Sequence, residues 1–190
     1  VPQDAVPRLT LRQVDTHAEG MAVKLQGIDL SVMPGEIVGV AGVSGSGQKE
    51  LGDLILGLQT PVRGSKHLFG EDATHWPVAQ VRASGVAFVP EDALAMAAIP
   101  WMTVQENMAL GYLWEYSRRA GLEIDWGAVR TDAEQAFGKL GISTPPLYKP
   151  IATLSGGNAQ RTVLARELAH QPRLILAFYP TRGLDVPSAN

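Results

Sequence analysis

Two glycine-rich segments stand out for what their residue types and spacing can do. The first reads Gly42-Val43-Ser44-Gly45-Ser46-Gly47-Gln48-Lys49-Glu50. Small residues let successive backbone N–H groups turn inward toward phosphate oxygens, and a helix starting there adds its positive end. With 20 glycines in 190 residues, three at this spacing arise by chance ~0.2 times per chain, so a plain tight turn stays open for this segment alone. A dinucleotide fingerprint fits less well, because Gly45-x-Gly47 would need a third glycine where Glu50 stands. The second segment is Leu154-Ser155-Gly156-Gly157-Asn158-Ala159-Gln160, followed by Arg161. At this composition its leucine, serine, glycine and glutamine positions coincide by chance ~0.0005 times, far too seldom to dismiss. The competing explanation is an ordinary serine-capped helix after a glycine turn.

These segments need elements to position them. Residues 8–41 read as strands. Leu9, Leu11 and Val14 alternate in part, Val23–Leu30 follows, and Glu36–Gly42 comes after the turn Met33-Pro34-Gly35-Glu36. Ile37–Ala41 is a continuous, largely apolar run bounded by glycine, the pattern of a strand buried on both faces. Lys49–Leu58 reads as a helix with Leu51, Leu54, Ile55 and Leu58 on one face. The glycine loop therefore lies between strand and helix, the setting a phosphate loop requires.

Val86–Pro90 is another short strand. Thr103-Val104-Gln105-Glu106 is a capping box, and the helix it opens is expected to run to about Ala120, with Gly121 beyond its end. Asp125 caps a second helix, in which Trp126, Val129, Ala133, Phe137 and Leu140 recur at helical spacing before Gly141 stops it. Ser155 opens a helix through Leu168, and Leu174–Phe178 reads as a last buried strand. The frame is α/β, with residues 101–141 as a helical block.

Composition excludes several classes. Lys+Arg 16 against Asp+Glu 19, a net charge of −3, lacks the basic stripe of a nucleic-acid binder. Zero cysteines rule out a disulfide scaffold, a thiolate zinc site and a cysteine nucleophile. No apolar run reaches the ~20 residues of a membrane helix. Val1 in place of Met reads as an excised piece of a longer protein. His67 and His75 lack metal-ligand spacing and read as surface residues, and Arg118 and Arg119 read as a solvated helix end. The Trp and Tyr residues of 112–126 read as packing in the helical block.

Leu154–Gln160 resembles the signature motif of ABC-type ATPases, and other stretches fall in that family's order. Val89-Pro90-Glu91-Asp92 sits where the family has its Q-loop, with Glu91 at the glutamine position. Thr103–Asn107 looks like the start of the helical subdomain, and Leu164–Arg173 is similar to the link between signature helix and Walker B strand. Pro180-Thr181-Arg182-Gly183-Leu184-Asp185 looks like the end of Walker B and a D-loop at Gly183, Leu184 and Asp185. The branch it most resembles is the second ABC domain of importers for simple sugars and nucleosides. The resemblance implies a P-loop NTPase (RecA-like) α/β core of ABC type, with an antiparallel β region and an inserted α-helical subdomain. It also implies one ABC domain over residues 1–190, truncated at the C-terminus: core and P-loop in 1–100, helical subdomain in 101–150, signature helix, Walker-B-like strand and D-loop in 151–190.

The departures from the family matter as much. Where a working Walker A ends in lysine and a hydroxyl residue, this chain has Gln48 and Lys49. One helical step of about 100° turns Lys49 away from the phosphates, which leaves the magnesium position as its alternative. At the Walker B Asp-Glu positions stand Phe178 and Tyr179, neither a magnesium ligand nor a base at neutral pH. No Phe, Tyr or Trp precedes Phe69 to stack an adenine, leaving His17 as a weak stand-in, and His170 does not match the family's switch histidine.

The resemblance thus implies that ATP is the cofactor, bound to residues 42–50 and Glu91, with no metal site of the chain's own and magnesium held at the partner's composite site. It implies that Leu154–Gln160 clamps ATP on a partner ABC domain while this domain's own site is impaired. Permease subunits, and indirectly a solute-binding protein outside the cell, are the further partners implied, with a peripheral place on the cytoplasmic face of the membrane. Two other readings stay open: a non-catalytic regulatory or structural ABC module, and a soluble ABC ATPase unrelated to transport.

Overall fold

Strand β1 (Leu9–Asp15) buries Leu9, Leu11 and Val14. A strict period of two would send Gln13 inward rather than Val14. A β-bulge between Leu11 and Val14, with Gln13 at φ 46°, inserts the extra residue that brings Val14 back to the buried face. The computed structural model describes residues 5–17 and 23–180. It divides into two compact units, Val1–Val86 and Ala87–Asn190, each described here by itself.

In the first unit β1 is flanked by β2 (Ile28–Val32) and β3 (Arg63–Leu68), and β3 pairs with the short β4 (Glu71–Asp72). The order is β2-β1-β3-β4 and every pair is antiparallel, with Leu9 opposite both Val32 and Leu68. Gly64, at φ 83°, lies against the bulge, where a Cβ would collide with the carbonyls of Arg12 and Gln13. Helix α1 (Gln48–Leu56) buries Leu54, Ile55 and Leu56 and ends at the left-handed Gly57. Helix α2 is Val78–Ala83. Lys66 of β3 is fully buried, and its Nζ donates to the carbonyls of Leu54 (2.9 Å) and Ile55 (3.3 Å) in the last turn of α1. A cation suits that end of a helix, but burial pushes the Lys66 ammonium down to about 8.

Two expectations fail in this unit. Residues 37–41 form no strand, and Ile37 is 97% exposed. An apolar run buries both faces only when strands lie beside it to take its N–H and C=O groups, and among the described residues none of β1–β4 does so. The expected strand Val23–Leu30 is displaced to Ile28–Val32. Of the two histidines expected at the surface, His75 is exposed, but His67 is half-buried with Nδ1 enclosed. β3, β4 and α2 were not foreseen.

In the second unit β5 (Val86–Val89) pairs with β8 (Leu174–Ala177), and α3 is Ala93–Met96. Helix α4 (Val104–Ala109) carries the complete Thr103–Glu106 capping box, α5 (Trp126–Lys139) is capped by Asp125, and α6 (Gly156–Ala169) by Ser155. These helices pack Val104, Met108, Val129, Phe137, Ile151 and Ala159 into one core. Each large side chain so buried contributes roughly 1.5–3 kcal/mol.

The helix from Thr103 ends at Ala109, far short of Ala120. Leu110 leaves helical geometry at ψ 132° and Gly111 turns left-handed at φ 83°. A hairpin, β6 (Ser117–Arg118) with β7 (Glu123–Ile124), takes the rest of the segment. Arg118 and Arg119 accordingly do not end the helix from Thr103: Arg118 closes β6 and Arg119 opens a short 3-10 turn, Arg119–Gly121, between the two strands. Arg118 pairs with Asp125, and Arg119 Nη1 donates to Glu123 Oε1 at 2.8 Å. Of the aromatics, Tyr112, Tyr116 and Trp126 pack on the core as expected, whereas Trp114 is 73% exposed. β8 is a strand, but not a buried one: Ile175 stands 46% exposed.

Candidate functional site

In the first unit the loop 42–47 rises into α1 through Gly47, a left-handed N-cap at φ 103° where no side chain caps the helix. Its glycines thus leave the helix start open at the backbone, the arrangement that suits an anion. Residues 42–46 are exposed, Gly47 is buried, and Gln48 and Glu50 are half-buried. The carbonyl of Val43 accepts from the Ser46 N–H (3.2 Å), the Ser46 hydroxyl (2.8 Å) and Gln48 Nε2 (3.4 Å). Gln48 Oε1 lies 3.1 Å from the same hydroxyl. Lys49 leans along the helix to Asp53 at 2.5 Å, and that hydrogen bond holds its ammonium above the usual lysine value. Glu50 Oε1 accepts from the Val23 N–H at 3.1 Å, which ties the incoming chain to α1. The carbonyl of His17 accepts from Gln59 Nε2 at 2.9 Å.

In the second unit the segment 154–160 divides by burial. Ser155, Gly156 and Asn158 are exposed, Leu154 and Gly157 half-buried, Ala159 and Gln160 buried. Ser155 Oγ accepts from the Asn158 N–H at 3.3 Å, the ordinary work of an N-cap. A Cβ on Gly156 would meet nothing within 4 Å, so the ground before the helix is clear. Gln160 points the other way, its Nε2 donating to the Pro90 carbonyl at 2.9 Å. That bond brings α6 against the stretch holding Glu91, which is itself exposed. Asp92 caps α3 by accepting from the Ala95 N–H at 3.0 Å.

At the end of β8 the Phe178 N–H donates to the Val89 carbonyl at 2.8 Å, and its ring meets Phe88 edge-on with centroids 5.8 Å apart. Tyr179 sits at φ 44°, left-handed backbone that an aromatic residue seldom adopts. Gly183, Leu184 and Asp185, with Arg182, lie outside the described residues.

Sequence reasoning missed the groups that hold α6 from behind. Glu167 is enclosed: Oε1 accepts from Arg166 Nε (3.2 Å) and Nη2 (3.1 Å), and Oε2 from the Phe88 N–H (3.2 Å) and the Tyr112 hydroxyl (3.4 Å). Arg166 Nη1 reaches the carbonyls of Ala97 (2.7 Å) and Asn107 (3.3 Å). The one signal available was a charged pair, Arg166-Glu167, inside an otherwise apolar turn.

The sequence pattern of the ABC transporter family matches residues 25–182. The chain belongs to the ABC transporter family. It is 38% identical over 183 residues to a glucose import ATP-binding protein of Haloferax volcanii, covering 95% of this chain and 33% of that protein. A nucleoside import ATP-binding protein of Lactococcus lactis subsp. cremoris is 33% identical, with 97% and 36% covered. A ribose import ATP-binding protein of Rhizobium johnstonii is 37% identical, with 86% and 32% covered. This ABC chain thus spans about a third of the length of these relatives.

Among solved structures, a dimeric ATP-binding cassette in a post-hydrolysis state with ADP and Pi superposes with TM-score 0.79 at 26% identity, covering 95% of this chain and 78% of that one. The fold is the P-loop NTPase fold of ABC cassettes. Against the family's use of ATP with magnesium, the open helix start at Gly47 suits phosphate. Phe178 and Tyr179 offer no carboxylate to a metal ion. No helix among the described residues is long and apolar enough to cross a membrane.

Proposed function

We propose that this chain is an ATP-binding domain of an importer for a sugar or a nucleoside, working as the clamp-donating half of an asymmetric pair of ABC domains. The observation that carries the reading is the contrast within one chain. Ser155, Gly156 and Asn158 are exposed at the start of the 14-residue α6, while the phosphate loop has Gln48 in the lysine place and Lys49 in the hydroxyl place, and the Walker B positions hold Phe178 and Tyr179. A clamp needs only N–H donors, a hydroxyl and a helix dipole, all present at 155–158. Cleavage needs in addition a lysine, a metal and a positioned water. The domain's own site, at Gly42, Val43, Ser44, Gly45, Ser46, Gly47, Gln48, Lys49, Glu50 and Glu91, therefore contributes little hydrolysis. Its signature completes the partner's site, where magnesium is held.

The relatives named for import of glucose, ribose and nucleosides support the transport reading and the substrate class. The same names support permease subunits as partners; a solute-binding protein as an indirect partner and a peripheral place on the cytoplasmic side are part of the proposal. The three-part division of the chain at 100 and 150 belongs to this proposal, as does the D-loop at 183–185.

The test is ATP turnover of the partner domain with and without this chain. Addition of the wild-type chain is expected to raise turnover, and the Ser155→Arg chain to leave it flat. Unchanged turnover with the wild-type chain defeats the clamp reading and favours a regulatory or structural module.

A further inference from the structure

The phosphate loop is short of a cation, but it also holds a side chain of its own. The Gln48 carboxamide folds back from the first residue of α1 to the start of the loop. Its Nε2 donates to the Val43 carbonyl at 3.4 Å, and its Oε1 lies 3.1 Å from the Ser46 hydroxyl. The fit is close: a Cβ placed on Gly42 would come within 2.5 Å of both Gln48 Nε2 and Ser46 Oγ. Both side chains therefore cover the Gly42 face of the loop. Lys49 takes no part, being paired with Asp53.

We propose that Gln48 is an internal plug, a carboxamide that latches the loop shut through Val43 and Ser46 and must swing out before phosphate can enter. A primary amide suits the task because it donates at one end and accepts at the other. Being neutral, it satisfies the loop without the desolvation that a cation there would require. The Ser46 hydroxyl has one proton, shared between the Val43 carbonyl at 2.8 Å and Gln48 Oε1. The latch is thus two hydrogen bonds at most, and opening it weakens phosphate binding by about tenfold. Weak nucleotide binding in this domain is then partly imposed by a contact that a side-chain rotation releases.

The inference rests on the reading of 42–50 as a nucleotide loop, and the experiment separates the two. Mg-ATP binding to the chain is measured by calorimetry for wild type, Gln48→Ala, Ser46→Ala and Gln48→Lys. Gln48→Ala removes the plug and adds no charge, so it is expected to bind about tenfold more tightly than wild type, with a smaller gain for Ser46→Ala. Binding no tighter than wild type in Gln48→Ala overturns the plug. If Gln48→Lys alone tightens, the loop handles nucleotide and merely lacks a cation: the plug falls and the function stands. No binding by any of the four defeats both. Should Gln48→Ala fail to fold, by loss of its thermal transition, Ser46→Ala decides, tighter binding supporting the latch and unchanged binding overturning it.

Discussion

The helix starts at Gln48 and at Gly156 use the same device for opposite ends. The first follows a glycine-rich turn and the second opens on Gly156-Gly157, and both present backbone N–H groups. At α6 the cap is a serine that bonds Asn158, and the approach to Gly156 is clear. At α1 the cap is a bare left-handed glycine, and the helix's own first side chain folds over the loop. One site faces outward for another molecule; the other is turned in on itself. A helix N-terminus therefore does not announce its own use: what stands over it decides.

The far ends of the two helices sharpen the contrast. α6 is held by the enclosed Arg166–Glu167 pair, α1 by Lys66 on its last carbonyls. The largest expected effect comes from breaking the first. Glu167→Ala takes the carboxylate from Arg166 Nε and Nη2, from the Phe88 N–H and from the Tyr112 hydroxyl, leaving the buried guanidinium only its Nη1 bonds to carbonyls. It is expected to cost roughly 3–5 kcal/mol in urea unfolding. A loss below ~1 kcal/mol would mean that α6 does not depend on the pair. Next in size is Ser155→Arg at the outward start, where turnover by the paired domains is expected to fall on the order of 100-fold, as when a preorganised donor site is lost. The chain should keep its thermal transition, because Ser155 is exposed.

Lys66 gives a smaller effect with a definite sign. Its folded value near 8 lies below the ordinary 10.5. Between those two pH values the unfolded chain binds more protons than the folded one, so stability rises as pH climbs through that window. The neutral amine still has two N–H groups for the carbonyls of Leu54 and Ile55, so deprotonation does not undo the anchor. A rise of roughly 1–3 kcal/mol from pH 8 to 10 is expected in chemical unfolding, and it should vanish in Lys66→Met. A flat profile in the wild type would place the ammonium in contact with water.

What the sequence disclosed follows from how local the cause was. The caps at Ser155, Thr103 and Asp125, the glycine loop and the family itself were legible, since each is written within a few neighbouring residues. The inward turn of Val14 was legible only as broken alternation, because the bulge depends on Gly64 in another strand. The hairpin at 117–124 was not, for Tyr112, Tyr116 and Ile124 carry apolar groups at spacings a helix would also use, and the stop at Gly111 fell inside the expected helix. Ile37–Ala41 read as buried because apolar composition reports what a strand would bury, not what lies beside it. At the site, burial divided a motif that sequence treats as one unit. Gln160 belongs to the support and Ser155 to the surface, a distinction made by Pro90, 70 positions away.

A third helix start bears on the opening contrast. At α4 the Thr103 hydroxyl accepts from the Glu106 N–H at 3.2 Å, while Glu106 Oε2 accepts from the Thr103 N–H at 2.7 Å. The Thr103 N–H, together with the Thr103 hydroxyl that also donates to Glu106 Oε2 at 2.7 Å, holds the Glu106 carboxyl below the ordinary glutamate value. The start is satisfied by the side chains of its own turn and by the carbonyls of Lys149 and Leu147, which accept from the Val104 (2.9 Å) and Gln105 (3.0 Å) N–H groups, so it neither awaits a ligand nor blocks one. Thr103→Ala is expected to cost ~1 kcal/mol in thermal or urea unfolding, with nucleotide binding and paired turnover unchanged. For Glu106 the stabilisation is complete above the usual glutamate range and is lost as pH falls through its lowered folded value, so Thr103→Ala should narrow the gap from wild type at acid pH. If Thr103→Ala lowered paired turnover as much as Ser155→Arg does, helix starts in this unit would act through the stability of the core. The outward geometry of 155–158 would then lose its claim to a separate role.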